Sequence, residues 1–189
     1  MIGYRSEYVI ALGGNLPSER ADPAETLALA LAAMTERGLT IRALSRFYAT
    51  PCFPAGAGPD FVNAAARVTG PDDPRAVLAT LHEIEAGLGR VRTSRWAGRT
   101  LDLDLLAAGG LVLPDAATQT AWRNLPQGEQ ARRAPAELIL PHPRLQDRAF
   151  VLVPMRDVAS DWVHPLLRQS VAALCLALPS AEIAAIRAL

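Results

Sequence analysis

The chain has 189 residues with 19 basic and 19 acidic side chains, so its formal charge at neutral pH is zero. That balance excludes the broad positive field behind sequence-independent nucleic-acid binding, and any phosphate chemistry has to be local. No apolar run is long enough to span a bilayer, and Cys52 and Cys175 form no metal-binding pair. One soluble cytoplasmic domain over 1–189 is expected, monomeric, acting on small molecules, with neither nucleic acid nor membrane as partner.

Glu7 to Leu12 is β-prone and runs into Gly13, Gly14 and Asn15, which predicts a strand ending in a turn with unusual backbone angles. Asp22 as N-cap, Pro23 at the first helical position and Glu25 three residues past the cap then open a helix. Its Leu27, Ala30, Leu31 and Met34 repeat at helical spacing until Gly38. Leu39 to Tyr48 reads as a second strand, residues 49–60 as a proline-rich and glycine-rich loop, and Phe61 to Val68 as a third strand. Asp73 and Pro74 begin a second helix with Val77, Leu81, Ile84 and Leu88 on one stripe, closed by Gly87 or Gly89.

Thr100 to Leu106 alternates strictly, with Leu101, Leu103 and Leu105 on one face and Thr100, Asp102 and Asp104 on the other. The order βαββαβ is that of an α+β fold, a ferredoxin-like antiparallel sheet with helices packed on one face. Leu111 to Leu113 is a candidate hairpin strand. Residues 114–136 form an insertion with no periodicity and no assigned function, followed by a helix around Phe150 to Val158 and a helical C-terminal extension.

The chemistry concentrates in RVRTSRWAGRTLDLDLL, residues 90–106. Carboxylates two apart on a strand sit about 7 Å from one another on one face, so Asp102 and Asp104 can share hard cations. Arg90, Arg92, Arg95 and Arg99 lie just upstream, and guanidinium forks match phosphate oxygens. Metal-holding carboxylates beside phosphate-holding arginines suit phosphoryl transfer, which depends on positioning and charge neutralisation. Residue chemistry alone leaves other readings open: a solvated polar strand face, another metal-dependent phosphoryl or nucleotidyl transferase, or a ferredoxin-like RNA-binding module.

That segment and the preceding IEAGLGR resemble the signature of 6-hydroxymethyl-7,8-dihydropterin pyrophosphokinases of folate biosynthesis. ALGGNL at 11–16, FYATP and PDFVNAA within 47–65, and LPHPRLQDRAFVLVP at 140–154 agree in the same order. The resemblance implies pyrophosphoryl transfer from ATP to the hydroxymethyl-dihydropterin, giving AMP and the pterin diphosphate, with two magnesium ions on Asp102 and Asp104. It assigns Arg90 and Arg92 to catalysis, and Glu85, Arg95, Trp96, Arg99, His142 and Arg148 to ATP. Thr50, Pro51, Cys52 and Phe53 would read the pterin edge, while Phe61 and Phe150 stack on it and Asn63 pairs with it. The chain departs from the family in having Ala97-Gly98 where Gly-Pro is common, Phe61 where tyrosine is frequent, and Gly14 where serine is frequent.

Overall fold

A computed structural model describes residues 6–18, 21–52, 58–88, 99–130 and 132–189. Phe53, Arg90, Arg92, Arg95, Trp96, Gly89 and the Ala97-Gly98 pair lie outside the described residues. The expected βαββαβ core is present. Strand β1 (Ser6–Gly14) leads into helix α1 (Pro23–Glu36), strands β2 (Thr40–Leu44), β3 (Tyr48–Thr50) and β4 (Phe61–Gly70), helix α2 (Pro74–Gly87) and strand β5 (Asp102–Ala108). Its described pairings are all antiparallel, with β5 beside β1, β1 beside β4, and both β2 and β3 on the far side of β4.

Local chemistry sets these elements as the sequence suggested. Asp22 and Glu25 form a capping box at the start of α1, and the chain leaves that helix through Gly38 at φ 85°. Packing contributes more than capping. Leu27 and Met34 of α1 and Leu81 of α2 are fully enclosed against Tyr8, Ile10, Leu12, Leu103 and Leu105 of the sheet. Each such side chain contributes about 1.5–3 kcal/mol by leaving water, against roughly 1 kcal/mol for a cap.

The second strand is interrupted. At the break the Ser45 hydroxyl accepts the Ala65 N–H at 2.9 Å, so a side chain replaces a ladder carbonyl and the main chain turns away. Arg46 and Tyr48 then meet Asp157, whose carboxylate accepts the Tyr48 hydroxyl at 2.7 Å.

The strict alternation of the aspartate strand also has a limit. Val9 pairs with Ala107 and Ile10 with Leu105, which leaves Leu106 as an extra residue, a bulge that reverses the facing of the residues after it. Leu101, Leu103 and Leu105 point to the α1 and α2 side, whereas Leu106 and Ala107 join the opposite core. Asp102 and Asp104 therefore emerge on the face away from α1 and α2.

That opposite face is covered by helix α5 (Ala149–Ala159) and helix α6 (Val171–Leu176), through Val151, Leu152, Met155, Val171 and Leu174. Helices thus lie on both faces of the sheet. Residues 114–136, an insertion without periodicity in the sequence, contain helix α3 (Ala116–Arg123), capped by Asp115, and a single turn, α4 (Gln127–Gln130). The expected strand at Leu111 to Leu113 is only an isolated bridge from Leu113 to Leu140. After α7 (Ser180–Ala184) the tail adds a two-residue strand, β6 (Arg187–Ala188), alongside β3. No helix among the described residues is long and apolar enough to cross a membrane.

His164, in the segment between α5 and α6, is fully buried, and its Nδ1 accepts the N–H groups of Leu166 and Leu167. Burial, helped by the nearby charge of Arg123, lowers its pKa from 6.5 to about 4. The folded protein keeps this imidazole neutral while the unfolded chain protonates it below 6.5, so the stability is complete above 6.5 and is lost as pH falls toward 4. By pH 4 the loss approaches roughly 3 kcal/mol. His164→Asn keeps an acceptor near Nδ1 and does not titrate. Its melting temperature should fall less than the wild type's between pH 7 and 5, and identical slopes would contradict this account.

Candidate active site

Asp102 and Asp104 lie at the start of β5, where register places Gly13 opposite Asp102 and Ala11 opposite Asp104. The same row continues to Asn63, opposite Gly13, and to Tyr48, opposite Asn63. Residues opposite one another in an antiparallel ladder share a face, so carboxylates and carboxamide look into one space. Asp102, Asp104, Gly13, Asn63, Phe150 and Val151 line a single cleft there. Phe150 reaches it from the first turn of α5, 42% exposed, while the buried residues that come after it hold its helix in place.

The pterin-side expectations fall on one edge of this cleft. Asn63 is buried, and its Nδ2 donates to the Thr50 hydroxyl at 2.7 Å, which fixes the amide plane. Phe61 lies one pleat along β4 on the same face, opposite Thr50, with Pro51 exposed and Cys52 half-buried beyond it. Phe61 is not among the residues that line the cleft itself.

Gly13 and Gly14 were expected to form a turn with unusual backbone angles, and instead end β1 as regular strand. Neither has positive φ, and space is the reason for glycine at both. A Cβ on Gly13 would lie 2.6 Å from Asn63 Oδ1, and one on Gly14 would lie 2.5 Å from the Thr100 carbonyl oxygen. Gly13→Ala should displace the Asn63 amide and, on the pterin-side expectation, raise the pterin KM about tenfold, the equivalent of one hydrogen bond, with the ATP KM little changed in steady-state kinetics. Equal KM values in variant and wild type would contradict that role for Gly13.

The ATP-side expectations are more dispersed. Arg99 contacts the carboxylate of Asp102. Glu85 is 2% exposed, and its Oε1 accepts the N–H of Leu103 at 2.7 Å, so it lies under the strand between the two aspartates. His142 docks on the open edge of β5, its N–H donating to the Leu106 carbonyl at 2.8 Å. Its Nδ1 accepts the Arg144 N–H at 3.1 Å. Burial pushes the His142 pKa down, Asp104 pushes it up, and Arg148 and Arg144 push it down again. Because Nδ1 accepts, the ring proton sits on Nε2, a hydrogen-bond donor in the neighbourhood of Asp104.

Burial also lowers the Arg148 pKa, opposed first by Asp104, and the guanidinium lies over the Phe150 ring, 5.7 Å from its centre. Gln119 of α3, fully buried, donates to the Pro141 carbonyl at 3.1 Å and so braces the segment entering His142. No periodicity in the sequence pointed to that brace.

The donor set suits magnesium. It offers two hard carboxylates on one face, with the small residues Gly13 and Ala11 beside them in the ladder, and a magnesium ion held there would take phosphate and water at its other positions. Among the described residues no group of three or more His, Cys, Asp or Glu could hold a metal by itself.

Comparison with known proteins identifies the family. Residues 9–160 match the family described as 7,8-dihydro-6-hydroxymethylpterin-pyrophosphokinase. The chain is 36% identical over 157 residues to a 2-amino-4-hydroxy-6-hydroxymethyldihydropteridine pyrophosphokinase of Haemophilus influenzae, covering 82% of this chain and 83% of that protein. Identity to a protein of the same name from Synechocystis is 35% over 158 residues, covering 83% and 68%. The crystal structure of wild-type Plasmodium falciparum HPPK-DHPS superposes with a TM-score of 0.63 at 14% identity. That likeness is one of fold, over 92% of this chain and 44% of the larger one.

Proposed function

This chain belongs to the 7,8-dihydro-6-hydroxymethylpterin-pyrophosphokinase family, and from that membership we propose how its own residues carry the reaction. The enzyme transfers the pyrophosphoryl group of ATP to 6-hydroxymethyl-7,8-dihydropterin in folate biosynthesis. The pterin hydroxymethyl oxygen bonds to the β-phosphorus of ATP, and the bond from that phosphorus to the oxygen bridging it to the α-phosphate breaks. AMP leaves with the bridging oxygen, and the hydroxyl proton passes to water.

Asp102 and Asp104 would hold two magnesium ions, which supply neutralisation of the polyphosphate charge when bound. Asn63 pairs with the pterin edge, helped by Thr50, Pro51, Cys52 and Phe53, and Phe150 and Phe61 stack on its ring. His142 donates from Nε2 to a phosphate oxygen, and Arg148, Arg99, Arg90, Arg92 and Arg95 match the phosphate charge with guanidinium forks. Glu85 and Trp96 complete the nucleotide side. The carrying observation is that the carboxylate pair, Asn63 and Phe150 line one cleft. It brings a polyphosphate site within reach of a flat heterocycle.

The unit is proposed to be a single domain, since one sheet carries helices on both faces, and to act as a cytoplasmic monomer. The experiment is an assay of purified protein with ATP, magnesium and the hydroxymethyl-dihydropterin. AMP should form only when the pterin is present. ADP or free pyrophosphate as product would instead indicate another phosphoryl or nucleotidyl transferase.

A further inference from the structure

Asn15 has no part in the chemistry above, yet the two halves of the cleft meet through it. Its side chain is 3% exposed, and a carboxamide buried so deeply has to satisfy both ends inside the protein. It does so on two separate segments. Oδ1 accepts the Arg99 N–H at 2.9 Å, and Nδ2 donates to the Pro59 carbonyl at 3.1 Å. The backbone N–H groups of Asn15 and Leu16 both donate to the Arg99 carbonyl, at 2.9 and 3.1 Å.

Each segment leads directly to one side of the reaction. Arg99 contacts Asp102 three residues on, whereas Pro59 precedes Phe61 and Asn63 at the start of β4. Cys52 and Gly58 meet at the same point, because a Cβ on Gly58 would lie 3.7 Å from Cys52 Sγ and 3.8 Å from Asn15 Nδ2. A single buried amide therefore spans the polyphosphate side and the heterocycle side.

We infer that Asn15 is a positioning residue that sets how the two substrates stand relative to each other, by tying the chain before Asp102 to the chain before Phe61. In-line transfer needs the attacking oxygen about 3–3.5 Å from phosphorus, and a misplacement of about 1 Å costs on the order of a hundredfold in rate. Asn15 acts on that alignment and contacts neither substrate. The inference rests on the pyrophosphoryl-transfer reading.

The test compares wild type with Asn15→Asp, which keeps the acceptor for Arg99 and loses the donor to Pro59, and with Asn15→Ser, which shortens both reaches. The dissociation constant and stoichiometry are measured separately for the pterin and for a non-hydrolysable ATP analogue with magnesium, and kcat is expressed per binding site. Both variants should bind each substrate within about threefold of wild type while kcat per site falls about 10- to 100-fold.

A purely structural role would reduce the number of binding sites and leave kcat per site unchanged, and that result overturns the inference. So does a tenfold weaker affinity for one substrate alone at unchanged kcat, which would make Asn15 part of that substrate's site. A wild-type protein that forms no AMP with the pterin would remove the reaction reading itself, whatever the variants do.

Discussion

Replacing Asp102 by asparagine should lower kcat by roughly a thousandfold, about 4 kcal/mol of transition-state stabilisation, with the melting temperature nearly unchanged. Asp102 is half-buried at the edge of the cleft, and its strand pairing with Gly13 is made by main chain that the substitution leaves alone. The loss therefore arises from charge, because an amide of the same shape binds a hard cation far more weakly than a carboxylate. Asp104→Asn should behave alike, and the double variant should lose little more than either single one, since the two carboxylates act on the same ions. Turnover at saturating ATP and pterin, measured across a magnesium titration, checks this. Near-wild-type turnover in either single variant would remove the carboxylate from the proposed role.

Glu85→Ala is expected to lower stability as well as rate. The substitution leaves the Leu103 N–H without its acceptor in a buried place and opens a void beneath β5. An unsatisfied buried amide costs about 1–3 kcal/mol before any void is counted. At roughly 2–4 °C per kcal/mol for a chain of this size, the melting temperature should drop by about 5–10 °C. Leu103 sits between the two aspartates, so their spacing loosens and kcat should fall at least tenfold. Glu85→Gln keeps an acceptor within reach of Leu103 and should recover most of the lost stability. Calorimetry paired with kinetics reads both effects, and an alanine variant indistinguishable from wild type in melting temperature and kcat would refute this role for Glu85.

The parts of the fold legible in the sequence were those in which one residue type answers one local demand. Asp22, Pro23 and Glu25 announced the start of α1, and the Leu–Asp alternation announced β5, because caps and pleats act over a few residues. The sequence could not reveal the bulge at Leu106, since whether a leucine turns to one core or the other depends on its partner in β1. The interruption at Ser45 was hidden for a similar reason, its hydroxyl being matched to Ala65 twenty residues away. Helix α3 was missed because its anchoring residue, Gln119, is polar and buried through a hydrogen bond rather than through apolar contact, so no hydrophobic stripe marks it.

In the candidate site, Asp102 and Asp104 were visible as a pattern, and Asn63 and Phe150 came from the family resemblance. Gly13 and Asn15 stood in plain view in ALGGNL but read as a turn. Their meaning is tertiary: one makes room for Asn63, and the other holds Arg99 and Pro59 together.

The most direct test of the central claim is diffraction from crystals grown with manganese, a non-hydrolysable ATP analogue and the pterin, using the anomalous signal of manganese to locate the metal. The expected map shows manganese coordinated by a carboxylate oxygen from each of Asp102 and Asp104 and by phosphate oxygens of the analogue, with the pterin ring against Phe150 and Asn63. Manganese and triphosphate bound together at a place that touches neither aspartate would contradict it.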